Sequence, residues 1–547
     1  MSVISRLTGR LMHLPPAETH AIVVTRNLKV PMPDDVMLLA DHYAPLNGPR
    51  RPTILIRSPY GRSGLFGTLS ARTYAERGYQ VLIQSCRGTA GSGGQFTYAR
   101  HEHDDGLATI AWIKRQEWFS GELAMIGASY LGFVQWAVAA DAGPELKALV
   151  PEITTADFHH FRFQGGSFTL ESSLGWTTMM TSYASSGLGM NMLLGLWKRA
   201  RRLEKAYGHL PLVDADRITI GHPSLLFQNL MLHGPDDDYW KPLDYSASVG
   251  EVPVPIYLIG GWYDLFLDWQ LKDFQALRAA GRHPFLLIGP WVHGDTSSTS
   301  TTMRETLAWL RAHLKGDQSG LREAPVRLFV MGAKEWRDFP DWPPPAQSER
   351  WYLQPGGTLA PAPPPTSEPD RYRYDPADPT PAVGGNSLGA RKHMGPKDNR
   401  KLEARADVLV YTSAVLEHHV EVIGPVMAEL YVRSSLLYTD FFARLCVVEP
   451  SGKSINVCDG IVRLAPGCPV PQADGSLRIQ IDLWPTAFRF RRGQRMRVQV
   501  SSGAHPRFVR NLGSGEPFAT ATTLRVADQA IYHDPEHPSS IILPILL

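Results

Sequence analysis

The sequence predicts two unlike halves: a doubly wound α/β domain with a helical insert, followed by a β-sandwich. Three observations carry this reading. Apolar, non-alternating runs alternate with helical patterns through the first part of the chain, as a parallel sheet buried on both faces requires. Between Ala156 and Gly250 the strand pattern vanishes. After Trp342 only short strands remain, several of them alternating with period 2. The segments are read as 1–156 and 251–347 for the α/β domain, 157–250 for the insert and 348–547 for the sandwich.

In chain order, the strand candidates are Thr53–Arg57, Gln80–Ile83, Leu123–Ile126, Ala148–Val150, Ile256–Ile259 and Phe285–Ile288. A helix over Asp105–Gln116 takes Asp104 as N-cap and places Leu107, Ile110, Ala111 and Ile113 on its inner face. Another spans Met303–Leu314 and stops at Lys315-Gly316. The insert carries Trp176, Met179, Met180, Met190, Met192 and Trp197 at helical spacings, so it reads as a cap over the carboxyl edge of the sheet. The proline clusters Pro343-Pro344-Pro345 and Pro363-Pro364-Pro365 bracket a turn-rich passage, and Pro376–Lys401 is a loop without periodicity. Beyond it, Leu477–Leu483 and Met496–Val500 alternate, and turns such as Asp474-Gly475 separate the strands, as in a jelly roll.

At 547 residues the chain is too long for one core, and its 43% hydrophobic content is ordinary for a globular protein. A net charge of +2 gives no electrostatic pull towards nucleic acid or an anionic membrane. The basic stretches Lys198-Arg199-Ala200-Arg201-Arg202 and Arg489 to Arg497 are local, and read as solvated faces. No run has the length of a signal peptide core or a membrane span, so a cytoplasmic protein is expected, with a homo-oligomer allowed. Four scattered cysteines form no CxxC; Cys446 and Cys458 could face each other across a hairpin, as reduced core thiols. His101-x-His103-Asp104-Asp105 reads as helix-start residues rather than a metal site, and the loop Gly88–Gly94 fits neither phosphate-binding glycine pattern. No metal and no cofactor are expected.

The chemistry-bearing residues lie at strand ends. Gly127-Ala128-Ser129-Tyr130-Leu131-Gly132 follows a strand and opens a helix, a sharp turn that exposes a serine hydroxyl at a helix amino terminus. A serine needs a base to take its proton, and the base needs an acid to orient it. Asp264 lies just beyond Ile256–Ile259, and His293 just beyond Phe285–Ile288. Both fall at the carboxyl edge of the sheet, in the order serine, acid, histidine. The Tyr130 N–H is placed to donate to an oxyanion, and Tyr60, in Ser58-Pro59-Tyr60-Gly61 after an early strand, offers a phenolic hydroxyl for the same purpose.

Further motifs occur in one order: Asp41-x-Tyr43-x-Pro45, Pro59-Tyr60, Arg87-Gly88, Trp112 with Gln116-x-Trp118, the Ser129 hexapeptide, Gly261-Trp262-Tyr263-Asp264, Gly289-Pro290-Trp291-x-His293, Ser501-Ser502-Gly503 and Pro506-Arg507-Phe508. This series resembles the cocaine esterase and X-prolyl dipeptidyl-peptidase group of serine hydrolases over almost the whole chain. The resemblance implies an α/β-hydrolase domain, a helical cap and a carboxy-terminal jelly roll. It also implies Ser129, Asp264 and His293 as the catalytic triad, with the Tyr60 hydroxyl and the Tyr130 N–H as oxyanion hole.

Within such a group the substrate decides the activity. Leu265-Phe266-Leu267 follow Asp264, so the acids that α-amino-acid ester hydrolases carry there are missing. Phe266 and Trp176 resemble the aromatic residues of the acyl pocket of cocaine esterase, which favours a neutral, hydrophobic or aromatic acyl group. The expectation is a carboxylic ester hydrolase that uses an acyl-enzyme and takes a small-molecule ester or amide. The cap acids Glu171, Asp236, Asp237 and Asp238 support an alternative, an X-Pro dipeptidyl peptidase or an amide or β-lactam side-chain acylase. A third reading is a non-catalytic protein whose jelly roll binds carbohydrate.

Overall fold

The computed structural model describes residues 2–67, 71–186 and 190–546. Its first sheet has ten strands: β1 (Ile22–Pro31), β2 (Met37–Pro45), β3 (Thr53–Ser58), β4 (Gln80–Ser85), β5 (Leu123–Ala128), β6 (Leu146–Glu152), β9 (Tyr257–Tyr263), β10 (Phe285–Val292), β11 (Val326–Val330) and β12 (Glu335–Phe339). Their order is β1-β2-β4-β3-β5-β6-β9-β10-β11-β12. The central strands pair in parallel and are buried end to end, which is why β3, β4 and β9 read as unbroken apolar runs. β1 and β2 are antiparallel, a pair the sequence patterns did not reveal. A register shift between Thr25 and Leu28, with Asn27 at a φ of 56°, interrupts the alternation of β1.

The helix predicted from Asp105 covers Glu102–Lys114 and buries Ile110 and Ile113 as expected, with Leu107 half-buried. His101 occupies the cap position, without a side-chain cap bond; Asp104 lies within the first turn, and Ala111 is exposed. Glu102 and Asp105 turn inward instead, because each meets a buried arginine. Arg57 pairs with Glu102 at 2.8 Å, and Arg87 with Asp105 at 2.6 Å. Apolar periodicity is blind to such pairs. The Met303–Leu314 helix begins earlier, at Thr299, and ends as expected with Gly316 left-handed at φ 72°.

The insert is mainly helical, with helices at Leu170–Ser186, Met190–Tyr207, Ala215–Ile220 and Leu225–Leu232. The side chains of residues 182–198, including Met190, Met192 and Trp197, lie outside the described residues. A short hairpin, β7 (Phe163–Gln164) and β8 (Ser167–Phe168), precedes the helices and is anchored to the second half by the Arg463 N–H on the Gly165 carbonyl. The carboxy-terminal half forms an eleven-stranded β assembly. Its strand Leu477–Phe490 joins the first domain through backbone bonds between Met331 and residues Ala487 and Arg489. Cys446 and Cys458 are buried free thiols on neighbouring strands. Among the described residues, no helix is long and apolar enough to cross a membrane.

The cap leaves the sheet beside a buried acid. Asp273, in the helix Leu267–Ala279, accepts the Ala156 N–H at 3.0 Å, and burial pushes its carboxyl up to about 8. The ordinary value is 3.8, so between there and about 8 the folded chain holds a proton that the unfolded chain has lost. Folding stability therefore falls as pH rises through that window. Asp273→Asn keeps the acceptor and removes the titration. The melting temperature of this variant should gain on wild type progressively from pH 5 to pH 8, as measured by differential scanning calorimetry.

Candidate active site

β5 runs straight into Ser129, whose φ of 59° and ψ of −122° are strained for a residue with a side chain. The Ser129 N–H is held by the Glu152 carbonyl at 2.8 Å, and the helix Tyr130–Trp136 starts at the next residue. The glycines flanking the serine are required by close packing. A Cβ at Gly127 would stand 2.4 Å from the Leu131 Cβ, and one at Gly132 would stand 2.3 Å from the Thr154 Cγ2. The second glycine of the elbow is thus needed at 132, where the helix passes the chain leaving β6, and position 131 tolerates leucine.

Asp264 and His293 leave adjacent parallel strands, β9 and β10, and meet the serine at the sheet edge. His293 Nε2 is 3.1 Å from Ser129 Oγ, and His293 Nδ1 is 2.7 Å from Asp264 Oδ2. The other carboxylate oxygen, Oδ1, accepts the Phe266 N–H at 2.8 Å, so both oxygens of a 1% exposed side chain are engaged. This chain of contacts can carry a proton from the serine to the imidazole while the carboxylate fixes the ring.

Tyr130 opens its helix, and the first N–H groups of a helix have no acceptor within it. Its phenol points into the domain, donating to Glu102 at 2.7 Å and accepting from the Ala99 N–H at 2.9 Å. Burial and the neighbouring Glu102 hold that phenol well above its ordinary range, so it stays protonated as a structural donor. Tyr60 follows β3, and its hydroxyl accepts the Trp176 indole N–H at 3.3 Å.

Ser129 and His293 open on a cavity walled by Tyr98, Phe158, Phe161, Trp176 and Phe266. Phe266 lies edge-on to His293 with ring centres 5.5 Å apart, and stacks on Phe158 at 5.2 Å. The two aromatic residues singled out in the sequence line the cavity on which the serine opens.

Family models match along the chain. Residues 34–295 match the X-Pro dipeptidyl-peptidase (S15 family) and residues 319–542 the X-Pro dipeptidyl-peptidase C-terminal non-catalytic domain. Cocaine esterase of Rhodococcus sp. (strain MB1 Bresler) is 34% identical, over 96% of this chain and 98% of that protein. The chain belongs to the cocaine esterase and X-Pro dipeptidyl-peptidase group of serine hydrolases. Two solved structures share its architecture. An aminopeptidase from a marine sediment Thaumarchaeota archaeon superposes with a TM-score of 0.84 at 24% identity, and an α-amino acid ester hydrolase with 0.74 at 21%. Each alignment covers 97% of this chain and 98% of the other.

For this serine hydrolase, three contributors to the site escaped sequence reasoning. The aperiodic loop Pro376–Lys401 reaches the site from the second half. Its Asn386 donates to the Asp264 carbonyl at 2.9 Å, and its Leu388 lines the cavity. The same loop is tied to the cap through Glu171, which accepts from the Ala390 N–H at 2.9 Å and contacts His393 at 2.7 Å. Arg162, from the short turn His160–Arg162, also lines the cavity. An asparagine and a leucine in a loop and an arginine in a short turn carry no periodic signal, so only their spatial meeting reveals them.

The cap acids stand elsewhere. Glu171 is 1% exposed and spent on the Ala390–His393 turn. Asp236, Asp237 and Asp238 are exposed; Asp237 contacts His233 at 2.9 Å and Asp238 pairs with Lys241 at 2.8 Å. Among the described residues, no carboxylate side chain lines the cavity.

Proposed function

We propose that this serine hydrolase cleaves carboxylic esters, with Ser129 as nucleophile, His293 as general base and then acid, and Asp264 orienting the ring. The observation that carries the reading is the unbroken Ser129–His293–Asp264 contact opening on an aromatic cavity without a carboxylate. Ser129 Oγ bonds to the ester carbonyl carbon as its proton passes to His293 Nε2. The carbon–oxygen bond to the alcohol breaks, and the alcohol leaves with that proton. A water then gives a proton to His293 and its oxygen to the acyl carbon, and the proton returns to Ser129 as the acid departs. The Tyr130 N–H and the Tyr60 hydroxyl serve as oxyanion donors, while Phe266 and Trp176 hold an acyl group that is apolar where it meets them.

The name of the S15 family model favours a second reading, a dipeptidyl peptidase acting on X-Pro substrates. Such a substrate brings an ammonium that wants a carboxylate in the pocket, and the walls of this one offer an arginine instead. Acetyl, butyryl and benzoyl esters assayed beside an X-Pro anilide decide between the two. Ester turnover without anilide turnover is expected; anilide turnover as the faster reaction overturns the ester reading.

Tyr60→Phe tests the second donor. Loss of one oxyanion donor costs on the order of 10²–10³ in turnover. The variant should show a fall of that size in kcat with a small change in KM, measured by steady-state kinetics on a butyryl ester.

A further inference from the structure

Arg162 is a buried cation that meets no counter-ion among the described residues. It is 3% exposed, and its Nη1 donates to the Ser173 hydroxyl at 3.1 Å. Its Nε is buried without a hydrogen-bond partner. The guanidinium carbon lies 4.5 Å from the centre of the Tyr98 ring and 4.8 Å from that of Phe161. The carboxylates nearest in sequence are committed elsewhere: Asp157 to the N–H groups of His159 and His160 and to the His160 ring, Glu171 to the Ala390–His393 turn. Ring faces and the Ser173 and Tyr98 hydroxyls solvate the cation, yet none of them supplies the negative charge that a buried guanidinium normally meets. A buried orphan donor calls for an explanation. Here the cation borders the same cavity as Ser129 and His293.

We propose that Arg162 receives a carboxylate at the far end of the acyl chain, so that the preferred substrates are half-esters of short dicarboxylic acids. The methylenes of the chain lie against the aromatic walls, and the terminal carboxylate meets the fork of Arg162, a geometry suited to two parallel hydrogen bonds. Water cleaves the ester to the free diacid and the alcohol by the acyl-enzyme route above, on which this proposal rests.

Monomethyl succinate, glutarate and adipate are compared by pH-stat with methyl valerate and dimethyl glutarate as neutral references. A butyrate ester of 3-hydroxypropanoate carries its charge on the alcohol side. A charge-assisted hydrogen bond to a buried cation corresponds to a preference of at least about tenfold. The best half-ester should exceed methyl valerate in kcat/KM by that factor, mainly through KM. In R162M the ratio should fall at least about tenfold, and R162K should keep part of it. A wild-type ratio near one, an unchanged ratio in R162M, or a preference for the charged alcohol each overturns the proposal. Calorimetric binding of free glutarate to the wild-type protein, absent in R162M, reads the anion site without turnover. Failure of the triad reading shows differently, as loss of turnover on every ester and no labelling of Ser129 by a fluorophosphonate.

Discussion

Ser129→Ala should lower turnover of a p-nitrophenyl ester by roughly 10³-fold or more and remove all labelling by a fluorophosphonate probe. The magnitude follows from what remains: the proposed oxyanion donors and the cavity still bind, while the covalent route is closed. The serine also carries the strained backbone of the elbow, at φ 59°. Alanine at 129 would have to adopt the same torsion, so circular dichroism and the melting temperature are measured beside activity. Undiminished ester hydrolysis by a folded Ser129→Ala protein would remove Ser129 from the mechanism.

Asp264→Asn carries the second large effect, a fall in kcat of about 10⁴, the size known when a triad acid is replaced by its amide. The carboxylate takes the His293 ring at 2.7 Å through one oxygen and the Phe266 N–H at 2.8 Å through the other. An amide can keep only one of these acceptor contacts. If its oxygen stays on Phe266, its NH₂ faces His293 Nδ1 and imposes the tautomer that leaves Nε2 protonated and unable to act as base. Asn386, bound to the Asp264 carbonyl at 2.9 Å, holds the loop in place in either case. Residual labelling of Ser129 in this variant is expected to be slow but complete, since the hydroxyl itself is intact. Steady-state kinetics and a labelling time course measure both effects, and a variant within tenfold of wild type would contradict the assigned role.

Much of the site was legible because it sits at strand ends. β3, β5, β9 and β10 are near-continuous apolar runs, and each is followed within two residues of its end by a residue proposed to act: Tyr60, Ser129, Asp264 and His293. The jelly-roll strands showed themselves by alternation, as in Leu477–Leu483, the first half of the strand Leu477–Phe490. What escaped was polar or aperiodic. The Glu102 and Asp105 face of the first long helix is buried by charge pairing with Arg57 and Arg87, which no hydropathy period records. β1 was hidden by the shift at Asn27.

The sequence alone singled out Ser129, Asp264 and His293, in that order, and determined the two-part architecture. Hydrophobic periodicity is a local property, and each residue's distance from its own strand end is fixed by a few covalent links. Only the tertiary structure decided what surrounds them. The loop Pro376–Lys401 brings Asn386 and Leu388 to residues far earlier in the chain, Glu171 turns out to brace that loop, and Arg162 faces the serine's cavity without a carboxylate. Long-range packing places these groups, and their chemistry follows from which charges meet and which are left unmatched.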